Sequence, residues 1–252
     1  TAREMWWLDG LPMYLEDQTL VATAMVARHI DRPEIVLPIL DRRIGFFEDL
    51  AGHANRRLNA VVYRSLIAEF PLVESQEDRI RREVIAFQAE KRQLAILLSV
   101  RALINQDLDQ TKLCDRDRGR VQQLGWEAEE LIGQLPDDWQ LLYFLYNGSQ
   151  LLDTRAVVKF RTSPQQWRSS LDDLDTAVMA LEVLNLSLAD SIQNTVRNES
   201  GDIYDSADLS RQLAAILKHR ANLRQAMGDQ TQAQTDRERI QELGFDLEEV
   251  LF

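Results

Sequence analysis

The chain has 252 residues, 45% of them hydrophobic, an ordinary globular share that suffices for one large or two small cores. Ten glycines and six prolines are too few for the many turns of an all-β fold, so helices are expected. A formal net charge of −12 argues against a phosphate-binding surface, and so against nucleic acid, and against adhesion to anionic lipid.

The first eighteen residues are apolar and aromatic without a period; Trp6, Trp7, Met13 and Tyr14 read as a packed segment at the end of a helical stack, with a partner-docking peptide as the other reading. A short helix is expected over Thr19–His29, ended by Asp31-Arg32-Pro33. A second follows over Glu34–Leu50 with Val36, Leu40, Ile44 and Phe47 on one face, and Pro38 pushes its start later than Glu34. Together they read as a helical hairpin. A third helix, Ala54–Phe70, carries Leu58, Val62, Leu66 and Phe70 and is closed by Pro71. Gln76–Gln106 is long and helical, with a break expected near Glu90.

From Leu94 onward the chain repeats itself. Arg101-Ala102 and Gln106 match Arg220-Ala221 and Gln225, and Asp117, Arg118, Arg120, Val121 and Gln122 match Asp236, Arg237, Arg239, Ile240 and Gln241. Between these blocks Gly228 reads as one extra residue, which sets Cys114 opposite Gln234. Self-similarity of this kind signals a repeat architecture. In the first copy, about Gln93–Leu131, one stripe is Leu97, Val100, Ile104 and Leu108, and a second is Leu113, Val121, Leu124 and Ala128. A diverged middle copy spans about Leu142–Leu184, with Leu152, Ala156 and Phe160 on its first helix. Ser163 reads as an N-cap before Pro164, and Trp167, Leu171, Leu174, Val178 and Leu181 form the next stripe. Leu186–Asp208 reads as a loop, and the last copy, Leu209–Phe252, turns at Gly228-Asp229.

Little in the chain points to catalysis. His29, His53 and His219 are scattered without metal-ligand spacing, and no metal, phosphate-loop or nucleophile motif occurs, so no metal or cofactor is expected. The carboxylate groups Glu127/Glu129/Glu130, Asp172/Asp173/Asp175 and Asp246/Glu248/Glu249 read as exposed faces rather than acid–base pairs. Cys114, the one cysteine, reads as a packed or partly exposed thiol and excludes an intrachain disulfide framework. A cytoplasmic compartment is expected, although a cysteine-poor exported protein would look the same. No apolar run of about eighteen residues occurs, so no direct membrane insertion is expected. The chain begins at Thr1 rather than methionine and reads as processed or excised from a longer protein, so a removed signal or anchor stays open. Arginine outnumbers lysine by far, and Arg101, Arg155 and Arg220 share one column of the repeat. They face either a ligand groove, where they would suit an acidic peptide, or their own neighbours. Asp117/Arg120 and Asp236/Arg239 are spaced to pair within one helix.

Small residues after each of these arginines (Ala102, Ala156, Ala221), the Gly228-Asp229 turn and Ala233 resemble the tetratricopeptide repeat (TPR), a helix-turn-helix unit of about 34 residues. The likeness covers Leu94–Phe252, is best in the last unit, and departs in period: Ala102 to Ala156 is 54 residues and Ala156 to Ala221 is 65. It implies an all-α fold of stacked antiparallel helix hairpins in a TPR-like solenoid, roughly eleven to thirteen helices in all. Residues 1–90 would be degenerate hairpins and 91–252 the repeat region with inserted helices. The resemblance also implies a non-catalytic scaffold or adaptor that binds a protein or peptide on its concave face. By position in the repeat, the groove residues would be Ser99, Leu103, Gln106, Asp153, Val157, Phe160, Lys218, Asn222 and Gln225, bonding to a ligand backbone with Phe160 as an apolar anchor. One subgroup of the family grips a C-terminal carboxylate with Lys and Asn four residues apart; Lys218 and Asn222 stand there, while Ser99/Leu103 and Asp153/Val157 do not supply such a pair. The alternative reading is a regulatory or sensory helical domain of a longer protein, with or without a membrane anchor. The oligomeric state is not legible.

Overall fold

A computed structural model describes residues 15–67, 74–135, 138–190, 195–197 and 203–247. Among these residues the fold is all-helical apart from one short strand pair. In chain order the helices are α1 (Leu15–His29), α2 (Leu37–Ile67), α3 (Glu74–Asp107), α4 (Thr111–Leu124), α5 (Ala128–Ile132), α6 (Asp138–Thr162), α7 (Trp167–Asp190), α8 (Ser206–Ala226) and α9 (Gln230–Glu242). Two compact units result, one of Leu37–Leu135 and one of Thr1–Val36 with Pro136–Phe252. The division expected at residue 90 falls inside α3, which runs unbroken through Glu90.

In the Leu37–Leu135 unit, α2 starts just where its proline allows, with Pro38 in the first turn, whose amides have no intrahelical acceptor. Leu40, Ile44 and Phe47 form the expected buried stripe. A separate helix from Ala54 does not occur: α2 continues to Ile67, because Gly52 is the only poor helix former near the expected break and one glycine costs only about 1 kcal/mol. The expected stripe at Leu58, Val62, Leu66 and Phe70 lies outside the side chains described. α3 packs against α2 on one side and α4 and α5 on the other, which is why Leu94, Ala95, Leu97, Leu98, Val100, Ala102 and Ile104 are buried nearly all round it. On α4 the inward face is Cys114, Asp117 and Val121; Leu113, expected on that face, is exposed. These continuous helices bring the described residues to nine α-helices, fewer than expected.

In the second unit α7 is central. It packs against α6, α8 and α1, and its residues Leu171, Leu174 and Ala177 through Leu181 are buried. α1 lies on α6 and α7, and its approach to α6 is permitted by Gly148: a β-carbon there would run into the Thr19 side chain. The aromatic stretch before α1 lies outside the described residues. Ser163 has extended backbone before a 3-10 turn at Pro164–Gln166, but its side chain makes no capping bond and contacts Gln165 instead. The expected loop over Leu186–Asp208 contains regular structure. α7 extends to Asp190, and Thr195–Arg197 pairs antiparallel with Ile203–Asp205, Val196 opposite Tyr204. β-branched and aromatic residues on both strands, flanking an Asn-Glu-Ser-Gly-Asp run, account for the pairing.

Candidate functional site

Three hairpins share one construction: α3–α4, α6–α7 and α8–α9. In each, an arginine of the first helix reaches a buried aspartate of the second. Arg101 binds Asp117 through two bonds of 2.7 and 2.8 Å, Arg155 binds Asp173 at 2.9 and 2.6 Å, and Arg220 binds Asp236 at 3.2 and 2.7 Å. Four residues after each arginine, one helical turn on, a further donor reaches the same aspartate: Asn105 at 3.5 Å, Lys159 at 2.7 Å and Arg224 at 2.8 Å. Three residues before each aspartate stands a small buried residue, Cys114, Ser170 or Ala233, which lets the helices approach. Ser170 Oγ donates to the Ala156 carbonyl across this contact at 2.6 Å.

The arginine column therefore turns inward, onto its own hairpins, and does not line a groove. Burial works against the charge of Arg101, but bonds to Asp117 and Asp41 outweigh it and hold the guanidinium above its ordinary pKa. Neither Asp117/Arg120 nor Asp236/Arg239 closes within its helix. Asp117 and Asp236 are held by the clamp, Arg120 reaches Glu48, and Arg239 reaches Glu242 at 2.8 Å.

The clamp also corrects the repeat register. A constant offset of 119 residues carries Arg101, Asp117 and Gly125 onto Arg220, Asp236 and Gly244. Gly228 is no insertion, because Asp109 occupies its place with the same left-handed backbone, φ 55° against 87°. Turn bonds match too: Gln110 N–H to Asn105 O at 2.8 Å, and Asp229 N–H to Arg224 O at 2.9 Å. Cys114 is thus the counterpart of Ala233, not Gln234, and is buried.

Besides its longer turn, the middle hairpin departs from the pattern at one pair of side chains. Gln106 accepts from Arg118 at 3.0 Å, and Gln225 accepts from Arg237, each pair closing the outer side of its hairpin. The same positions of α6–α7 hold Phe160 and Leu174. There a cavity of about 120 Å³ opens, walled by α6, α7 and α8. Ala156, Leu174 and Leu223 are buried in its wall with Ser170; Val157 and Phe160 flank it; His219, Asn222 and Arg161 complete it. Phe160 is fixed by Trp167, whose ring lies 5.6 Å away and whose indole N–H donates to the Phe160 carbonyl at 3.1 Å. His219 Nδ1 lies 2.7 Å from Asp153 Oδ1, linking α8 to α6 beside the cavity.

Of the expected groove residues, Val157, Phe160 and Asn222 line this cavity, and Asp153 touches it through His219. Lys218 is half-buried on α8 and Gln225 is engaged by Arg237. Ser99, Leu103 and Gln106 belong to the Leu37–Leu135 unit. Ser99 is fully buried and donates to the Ala95 carbonyl at 2.8 Å, Leu103 is half-buried, and Gln106 holds Arg118. His219, Arg161 and Ser170 were not singled out for a site in the sequence; the signal for them was the loss of the Gln–Arg pair in the middle repeat.

Among the described residues no cluster of three His, Cys, Asp or Glu side chains could hold a metal ion. Among them, too, no helix is long and apolar enough to cross a membrane. The chain matches no family model, no curated protein and no solved structure in comparisons with known proteins.

Proposed function

We propose that this chain is a non-catalytic protein- or peptide-binding scaffold of TPR-like hairpins, and that the cavity walled by α6, α7 and α8 receives a side chain of its ligand. The observation that carries this reading is the break in pattern at the middle hairpin. Where the other two hairpins place a Gln–Arg pair, this one places Phe160 and Leu174 beside an open apolar cavity. An apolar recess edged by a few polar groups is the usual form of a recognition site. The buried Asp117, Asp173 and Asp236 are each engaged by cationic side chains that join helices, which supports an architectural role for those carboxylates.

Panning a displayed random-peptide library on the immobilised protein, then titrating recovered peptides by calorimetry, tests the proposal. Phe160→Leu and Asn222→Ala are expected to weaken binding by about tenfold or more each, the range of interface anchors, with urea midpoints near wild type. Peptides that bind both variants as well as wild type would remove the cavity as the site.

A further inference from the structure

The cavity is apolar where it is deep and cationic where it meets solvent. Ala156, Leu174 and Leu223 are buried in it. Its volume of about 120 Å³ approaches that of apolar protein cavities, about 150 Å³, that accept benzene, so a leucine-sized group suits it. Arg161, near the end of α6, is exposed beside it and makes no hydrogen bond or ion pair among the described residues. Nearby cations are engaged: Arg155 and Lys159 hold Asp173, and Arg220 and Arg224 hold Asp236 and Asp175. A guanidinium at the edge of an apolar recess, with no partner among the described residues, favours a carboxylate there.

Resting on the ligand-site reading above, we infer that the cavity takes a peptide segment carrying a leucine-sized apolar side chain next to a carboxylate. The apolar group enters the cavity and the carboxylate accepts from the Arg161 guanidinium. The carboxylate comes from an Asp or Glu side chain or from the ligand's own free C-terminus.

An array of immobilised octapeptides distinguishes these sources. One set has a central leucine with Asp, Asn or Lys beside it and an amidated end; a second set ends in leucine as the free acid or the amide. Wild-type protein is expected to favour Asp over Asn, or free acid over amide, by about two- to fivefold, the scale of an exposed ion pair. The preference should fade in about 0.5 M salt, where screening is strong. Arg161→Gln should abolish it, and Arg161→Glu should turn it toward Lys. Charge preferences unchanged in both variants, or absent from wild type, would overturn the inference. Peptides that bind in a Phe160- and Asn222-dependent way without charge preference would sink this inference alone; no such peptides at all would sink the ligand site with it.

Discussion

Asp117 is wholly shielded from water, and its charge is met by Arg101, Asn105 and, at 3.5 Å, Arg116. Breaking a buried pair by removing one partner typically costs about 3–5 kcal/mol, whereas replacing both by apolar groups of similar size costs far less. Arg101→Ala is therefore expected to lower stability by about 3–5 kcal/mol in urea melts, and Arg101→Met/Asp117→Leu by clearly less. Equal losses in the two proteins would show that the clamp is not a coupled unit. Arg101-Ala102 and Asp117 were visible in the sequence as repeated letters, but their partnership was not. Sequence periodicity displays neighbours three or four residues apart on one helix, while this contact crosses a hairpin. The clue was a spacing of 16 residues, recurring between Arg220 and Asp236.

Glu182 on α7 shows the opposite electrostatics. Removal from water raises its pKa, with Asp236 adding to the shift, and Arg239 and Arg220 oppose it without cancelling it. A carboxyl whose pKa rises on folding favours the native state while protonated, so its contribution is full below the ordinary glutamate range and is lost as pH climbs through the raised value. Glu182→Gln, neutral at every pH, is thus expected to be more stable than wild type near pH 7 and to converge with it in acid. A denaturation series across pH reads this directly; a variant weaker than wild type at neutral pH would contradict it.

Among elements, the α1–α6 contact depends on a missing side chain. Gly148 sits inside a helix, where alanine would ordinarily gain about 1 kcal/mol, yet here the added methyl meets Thr19. Gly148→Ala is expected to cost about 1–3 kcal/mol, the range for overpacking, and Thr19→Ala added to it should recover most of the loss. Thermal melts of the two proteins decide this; no recovery would place the strain elsewhere. The stripes of α2, α3 and α7 were legible because burial on one face leaves a period of 3.6 residues. Helix ends were less so: α2 runs past Gly52 because one glycine is too weak a breaker to end a helix, and Asp109 supplies a left-handed turn where glycine was sought. The strand pair stayed hidden because three-residue strands carry almost no alternation. The cavity had no motif of its own and emerged only where Phe160 and Leu174 replace a polar pair.

For the molecule as a whole, two units each with its own core are expected to lose structure separately. Scanning calorimetry should give a van't Hoff enthalpy below the calorimetric one, the mark of more than one cooperative step. Equality of the two would mean that the units melt as one. The unit containing α1 is also discontinuous in sequence, since its first helix precedes Leu37–Leu135 and the rest follows. A ribosome makes α1 early, but its seats on α6 and α7 are complete only after Asp190 has been added. At about 5–20 residues per second, that leaves roughly ten to thirty seconds in which Leu20, Ala24 and Ala27 have no native seat. A nascent polypeptide in that interval offers its first helix to holding chaperones, and ribosomes stalled before residue 138 should carry them.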